Sequence, residues 1–151
     1  MANIKRFKIK GLKNKDSFAD ASKIVLRQKL KVVFEEIELY EKDDSPKNLH
    51  DLRIAVRRFR FNLEIFYGCI KPKLFAGIYE SVEELQDIIG ELRDLDVLEE
   101  KIRNVEKEIG NKVSDNFYQK ISNERTLLKD KVKKELAEFY FNDHLKKLLL
   151  K

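Results

Sequence analysis

Apolar residues recur along this chain at alternating steps of four and three, the signature of helices with one buried face. Leu26, Leu30, Val33, Ile37 and Tyr40 form the first series. With Asp16 or Ser17 in front as N-cap, it predicts a helix from residue 17 to about Lys42. Ser45 followed by Pro46, an N-cap and a proline in the first helical position, opens a second helix. Leu49, Leu52, Val56, Phe59, Leu63 and Phe66 line one face of it, and Ile54, Phe61 and Ile65 another. Gly68 to Pro72 turn the chain. A third helical region begins near Lys73 and carries Ile78, Val82, Leu85, Ile89 and Leu92. After a slip in phase, the series continues with Leu95, Leu98, Ile102, Val105 and Ile109. Gly90, beside the slip, suits close packing or a bend, and Gly110-Asn111 is a C-cap. A fourth helix from Ser114 to Phe139 aligns Phe117, Ile121, Leu128, Val132, Leu136 and Phe139. Arg125 falls on that stripe, where it needs a carboxylate or a bound anion. A short tail, residues 143–150, brings Leu145, Leu148 and Leu149 to cap the helices or meet another subunit. Four long helices with short connections predict an all-α fold, an up-and-down antiparallel four-helix bundle with a short C-terminal helix.

Composition agrees with that picture. The 151 residues fit one domain, and two Pro, five Gly and no Trp suit long helices rather than a sheet. The single cysteine, Cys69, excludes an internal disulfide and a cysteine-rich metal site, and it fits a reducing cytoplasm. No apolar run is long enough to span a membrane, and the lysine-rich start lacks the apolar core of a signal peptide. The expected compartment is therefore the cytoplasm, with no membrane contact. The net charge of +5 resides in residues 1–16, where six cations face Asp16 alone, and the rest of the chain carries equal numbers of basic and acidic side chains. Residues 1–16 accordingly form a basic arm, either a solvated tail or a contact for a polyanion, and residues 17–151 form the helical domain. A basic site in that domain must come from local segregation of charge.

The second helix segregates charge in this way. At 100° per residue, His50, Arg53, Arg57 and Arg60 fall in a strip about 80° wide between its two apolar stripes. Guanidinium forks in a row suit an extended phosphate chain, because they bind its oxygens by charge-assisted, often bidentate hydrogen bonds. His50 adds a hydrogen bond. The competing reading is an arginine ladder paired to Glu64, Glu91 or Asp94. Lys23, Arg27 and Lys31 form a second cationic row on the first helix, whose usual meaning, taken by itself, is a solvated face. Asp94 and Asp96 suit the orienting of arginines such as Arg53, Arg93 or Arg125 better than metal binding with His50, since no second histidine has ligand spacing. No nucleophile, base or glycine-rich phosphate loop suggests an enzyme, and no cofactor is expected.

Three segments resemble the conserved histidine α-helical domain, the CHAD family: DASKIVLRQKLKVV, LHDLRIAVRRFRFNLEIF with His-x-x-Arg-x-x-x-Arg-Arg-x-Arg, and IIGELRDLDVLEEKI with Gly-x-x-Arg-Asp-x-Asp-Val. The resemblance implies two similar four-helix halves around a basic cavity and binding of inorganic polyphosphate. This chain lacks a second copy of the His-Arg helix and so resembles one half. By that resemblance the phosphate contacts are Lys23, Arg27, Lys31, His50, Arg53, Arg57 and Arg60 in a groove on helices 1 and 2, with Arg93 and Arg125 as additions. The surplus stripe of Ile54, Phe61 and Ile65 suits a homodimer that rebuilds the missing half. Nucleic acid is the alternative polyanion, and a ligand-free dimerisation bundle the alternative role.

Overall fold

A computed structural model describes residues 9–150. Lys5, Arg6 and Lys8 of the predicted basic arm lie outside them. Five α-helices follow one another: α1 (Phe18–Lys42), α2 (Pro46–Ile65), α3 (Pro72–Ile109), α4 (Asp115–Tyr140) and α5 (Asp143–Leu150), with a 3-10 turn at Tyr67–Cys69. The fold is all-α, with no strand among the described residues.

The helix starts are set by the caps in the sequence. Ser17 accepts a hydrogen bond from the Asp20 N–H and Ser45 one from the Asn48 N–H, each satisfying a donor that the first turn leaves free. Gly110 stops α3 in the left-handed conformation at φ 77° and donates its N–H to the Glu106 carbonyl. Gly90 interrupts nothing: α3 runs through it, and a Cβ there would meet no atom within 4 Å, so close packing is not its purpose.

Neighbours in sequence are neighbours in space, α1 on α2, α2 on α3 and α3 on α4, while α5 lies against α1 and α3. The predicted seams of α1 and α2 are buried in full, from Leu26 to Tyr40 and from Leu49 to Phe66. In α4 the stripe is buried except for Phe117, which is half-buried, and Leu145 of α5 closes the core. The α3 seam departs from expectation. Ile78 to Leu92 are buried, but Leu98, Val105 and Ile109 are exposed, because α3 outruns its partners. At 1.5 Å per residue its 38 residues span about 57 Å against about 30 Å for the 20 of α2, so α2 cannot cover the whole of it. On α2, Phe61 and Ile65 stand exposed and Ile54 half-buried. Ile9 packs on the core, so the basic arm is tied down at its inner end.

Candidate functional site

The two cationic rows leave the body on different flanks. Phe34 packs at a tilt on Phe139 and edge-on against Tyr140 of α4, and it lies eleven residues from Lys23 and seven from Arg27, close to whole turns. The flank of α1 that faces α2 instead carries Lys29, Val32 and Glu36, which share a cavity with Asp51, Ile54 and Arg58. The α1 row therefore looks towards α4 and α5. The α2 strip looks towards α3, since Arg60 reaches Tyr79, Glu83 and Gln86. The expected single groove lined by helices 1 and 2 is thus replaced by two basic surfaces. Local periodicity places a residue on its own helix but carries no information about which neighbour a flank will meet.

Within the α2 strip the four groups differ in what they hold. Arg60 is engaged through all three nitrogens: Nε donates to Glu64 at 3.2 Å and to the Tyr79 hydroxyl at 3.1 Å, Nη2 to Glu83 at 3.2 Å and Nη1 to Gln86 at 3.4 Å. Tyr79 in turn donates to Glu64 at 2.7 Å. The ladder reading holds for this arginine, through Glu64 and through Glu83, which sequence spacing did not suggest. Arg53 and Arg57 make no ion pair among the described residues, and the Arg57 guanidinium sits over the Phe61 ring, 5.7 Å from its centroid. The Nδ1 atom of His50 is buried and has no hydrogen-bond partner among the described residues.

The α3 side of this groove changes character along its length. Tyr79, Glu83 and Gln86 occupy successive turns, and the next two positions of that flank are Gly90 and Arg93. Arg60 fixes the register of the two helices, and stepping from it by turns towards the start of α2 brings Arg53 to the level of Gly90 and His50 to that of Arg93. Where Arg60 finds acids and an amide, Arg53 falls beside Gly90, which offers no side chain; Arg57, by the same register, falls beside Gln86. Such an arrangement can hold a row of anionic oxygens without first displacing a carboxylate.

Arg93 and Arg125 line a cavity of about 460 Å³ with Pro46, Arg103 and Lys107, and with Asp96, Glu99 and Glu100. Arg125 is paired, donating to Asp96 at 3.1 Å and also to Glu99, so it took the carboxylate option open to it in the sequence. Asp94 is exposed and makes no ion pair among the described residues. Burial and the charges of Asp44 and Asp96 push the nearby Tyr40 phenol up to about 12. Burial opposes ionisation of Asp44, but Lys129 and Lys133, at 3.3 and 3.5 Å, more than offset it and hold the carboxyl below its ordinary value. On α1, Lys31 lies 3.9 Å from Glu35 with both exposed, a pair of small consequence, and the Nε of Arg27 is buried without a partner among the described residues. Among the described residues no group of three or more His, Cys, Asp or Glu is placed to hold a metal, and no helix is long and apolar enough to cross a membrane.

Fold and side chains together define an all-helical protein in which Arg60, Arg103 and Arg125 are held by carboxylates, while Arg53 and Arg57 on one flank of α2 make no ion pair among the described residues. The chain belongs to the CHAD domain family, whose model matches residues 19–150. Comparison with curated proteins and with solved structures returned no match.

Proposed function

We propose that this chain is a non-enzymatic binder of inorganic polyphosphate or a similar polyanion. Its family is linked to polyphosphate binding in general. The observation that carries the reading for this chain is the contrast along α2: Arg60 is held by Glu64 and Glu83, whereas Arg53, beside Gly90, and Arg57 make no ion pair among the described residues. In this reading His50, Arg53, Arg57 and Arg93 make the primary contacts, and Lys23, Arg27 and Lys31 make a separate one on the α1 flank. Arg60 and Arg125 support the surface while held by carboxylates. The four long helices are taken as one antiparallel bundle, half of a double bundle. A second copy, joined through exposed Phe61 and Ile65, supplies the other half.

Hydrogen bonds to charged groups are worth about 1.5–3 kcal/mol each. Arg53→Ala/Arg57→Ala should therefore weaken polyphosphate binding by about tenfold or more at moderate salt, measured by titration calorimetry. Affinity should also fall as salt rises, because binding releases counterions. Unchanged affinity in the double variant removes this site. The competing polyanion is nucleic acid: long-chain polyphosphate should displace labelled RNA, and poor displacement would favour RNA as the ligand. A monomeric mass across micromolar to millimolar concentrations would rule out the homodimer.

A further inference from the structure

A second cavity lies away from the α2 strip, between the N-terminal half of α1, the turn after α2 and α5. Its volume is about 540 Å³, within the range of small-molecule sites. Leu26, Ile70, Leu74 and Leu148 form an apolar floor with Cys69 beside them, and Lys23, Lys71 and Lys147 stand around it. No carboxylate lines the cavity, and none of the three lysines is in an ion pair among the described residues. The Ser22 hydroxyl is already committed to the Ala19 carbonyl at 2.6 Å. Three ammonium groups over an apolar floor give the site two unmet demands.

We infer that this cavity binds an amphipathic anion, a straight-chain carboxylate whose head group meets Lys23, Lys71 and Lys147 and whose alkyl chain covers Leu26, Leu74 and Leu148. The pairing of chemistries selects the ligand. Inorganic polyphosphate is hydrated along its whole length and gains nothing from an apolar wall. A neutral hydrophobe fits the wall but leaves the ammonium groups without a counter-charge. A carboxylate with an alkyl tail answers both, by ion pairing at the mouth and by removal of apolar surface from water within. The site is independent of the polyphosphate surface except for Lys23, which borders both.

Cys69 makes the test direct, because it is the only cysteine in the chain and it lines the cavity. Dodecanoate below its micellar concentration should slow alkylation of Cys69 by iodoacetamide at least threefold and raise the melting temperature. Tripolyphosphate and dodecyltrimethylammonium should do neither. Lys71→Gln/Lys147→Gln should abolish the protection while leaving the affinity of the α2 strip for polyphosphate unchanged, which separates a failure here from a failure of the polyphosphate reading. Leu74→Trp, which fills the cavity, should abolish protection with all lysines in place, and circular dichroism would confirm that both variants are folded. Absence of protection by dodecanoate in the native chain overturns the inference. So does equal protection by tripolyphosphate, the mark of a bare cationic patch, or by dodecyltrimethylammonium, the mark of an apolar hole indifferent to charge.

Discussion

The two halves of α3 hold their neighbours by different physics. Up to Leu92 the inward face is Ile78, Val82, Leu85, Ile89 and Leu92, all buried against the other helices. Beyond it, steps of four and three along the same face bring Asp96, Glu99, Arg103 and Glu106. Across from these stand Arg125, which bonds Asp96 and Glu99, and Tyr118, which donates to Glu106 and lies under the Arg103 guanidinium, 4.4 Å from its ring centroid. Leu98, Val105 and Ile109 have rotated to an exposed side. The proximal half gains stability from the amount of apolar surface that it covers, which fixes depth more than register. The distal half gains it from paired charges, which fix register and respond to pH.

The largest effect should separate the halves outright. Leu85→Ala removes a side chain with no exposure at the centre of the proximal half and should cost about 2–5 kcal/mol, read from urea unfolding. Leu98→Ala, the same chemical change at a 46% exposed distal position, should stay within about 0.5 kcal/mol. Comparable losses would mean that the distal stripe is covered in solution, as it would be if a second copy docked there.

Next in size is the charged seam itself. The Asp96 side chain is only 9% exposed and its partner Arg125 24%, so Arg125→Met leaves a nearly buried carboxylate without a counter-charge and should cost roughly 1–3 kcal/mol. The change should also reshape the acid limb of stability. Burial raises the Glu99 carboxyl, but hydrogen bonds and charge from Arg125 and Arg103 more than offset it and bring the folded value below the ordinary one. A lowered folded value contributes stability that is full above the unfolded value of about 4.3 and is lost as pH falls through the folded value. Native protein should lose stability in that acid window, and Arg125→Met should flatten the loss, measured as unfolding midpoints between pH 2 and pH 6.

Most of this contrast was legible in the sequence as a symptom whose cause was not. The phase slip between Leu92 and Leu95 is visible in the spacing alone, and Ser17, Ser45, Pro46 and Gly110 mark helix ends that the structure reproduces. The difference in length between α2 and α3 could be read from the caps; what spacing could not give is which side of the distal half of α3 is covered, so the second apolar series reads as continued core although Leu98, Val105 and Ile109 are exposed. The same limit applies to the site. His50, Arg53, Arg57 and Arg60 were legible as one strip, but the partners that distinguish Arg60 from Arg53 sit on α3, in a register that depends on how two helices dock. Lys71 and Lys147 escaped notice for the same reason, since each is an isolated lysine until the turn after α2 and α5 come together beside Lys23.

Gly90, just before the junction of the two halves, offers the finest test. It is interior to α3, where glycine is about 0.8–1 kcal/mol worse than alanine, and an added Cβ would meet nothing within 4 Å. Gly90→Ala should therefore stabilise the protein by about that amount in urea unfolding, a gain that the native sequence forgoes. The groove explains why: a side chain at this turn would extend the flank of Tyr79, Glu83 and Gln86 until it faced Arg53. Gly90→Glu carries that logic to its end by giving Arg53 the kind of partner that Glu83 gives Arg60. It should lower polyphosphate affinity several-fold at no cost in stability, since Glu is also a better helix former than Gly. If Gly90→Glu binds as tightly as the native chain, the open stretch of the α2–α3 groove is not where the polyanion lies, and the contrast between Arg60 and its neighbours is one of packing alone.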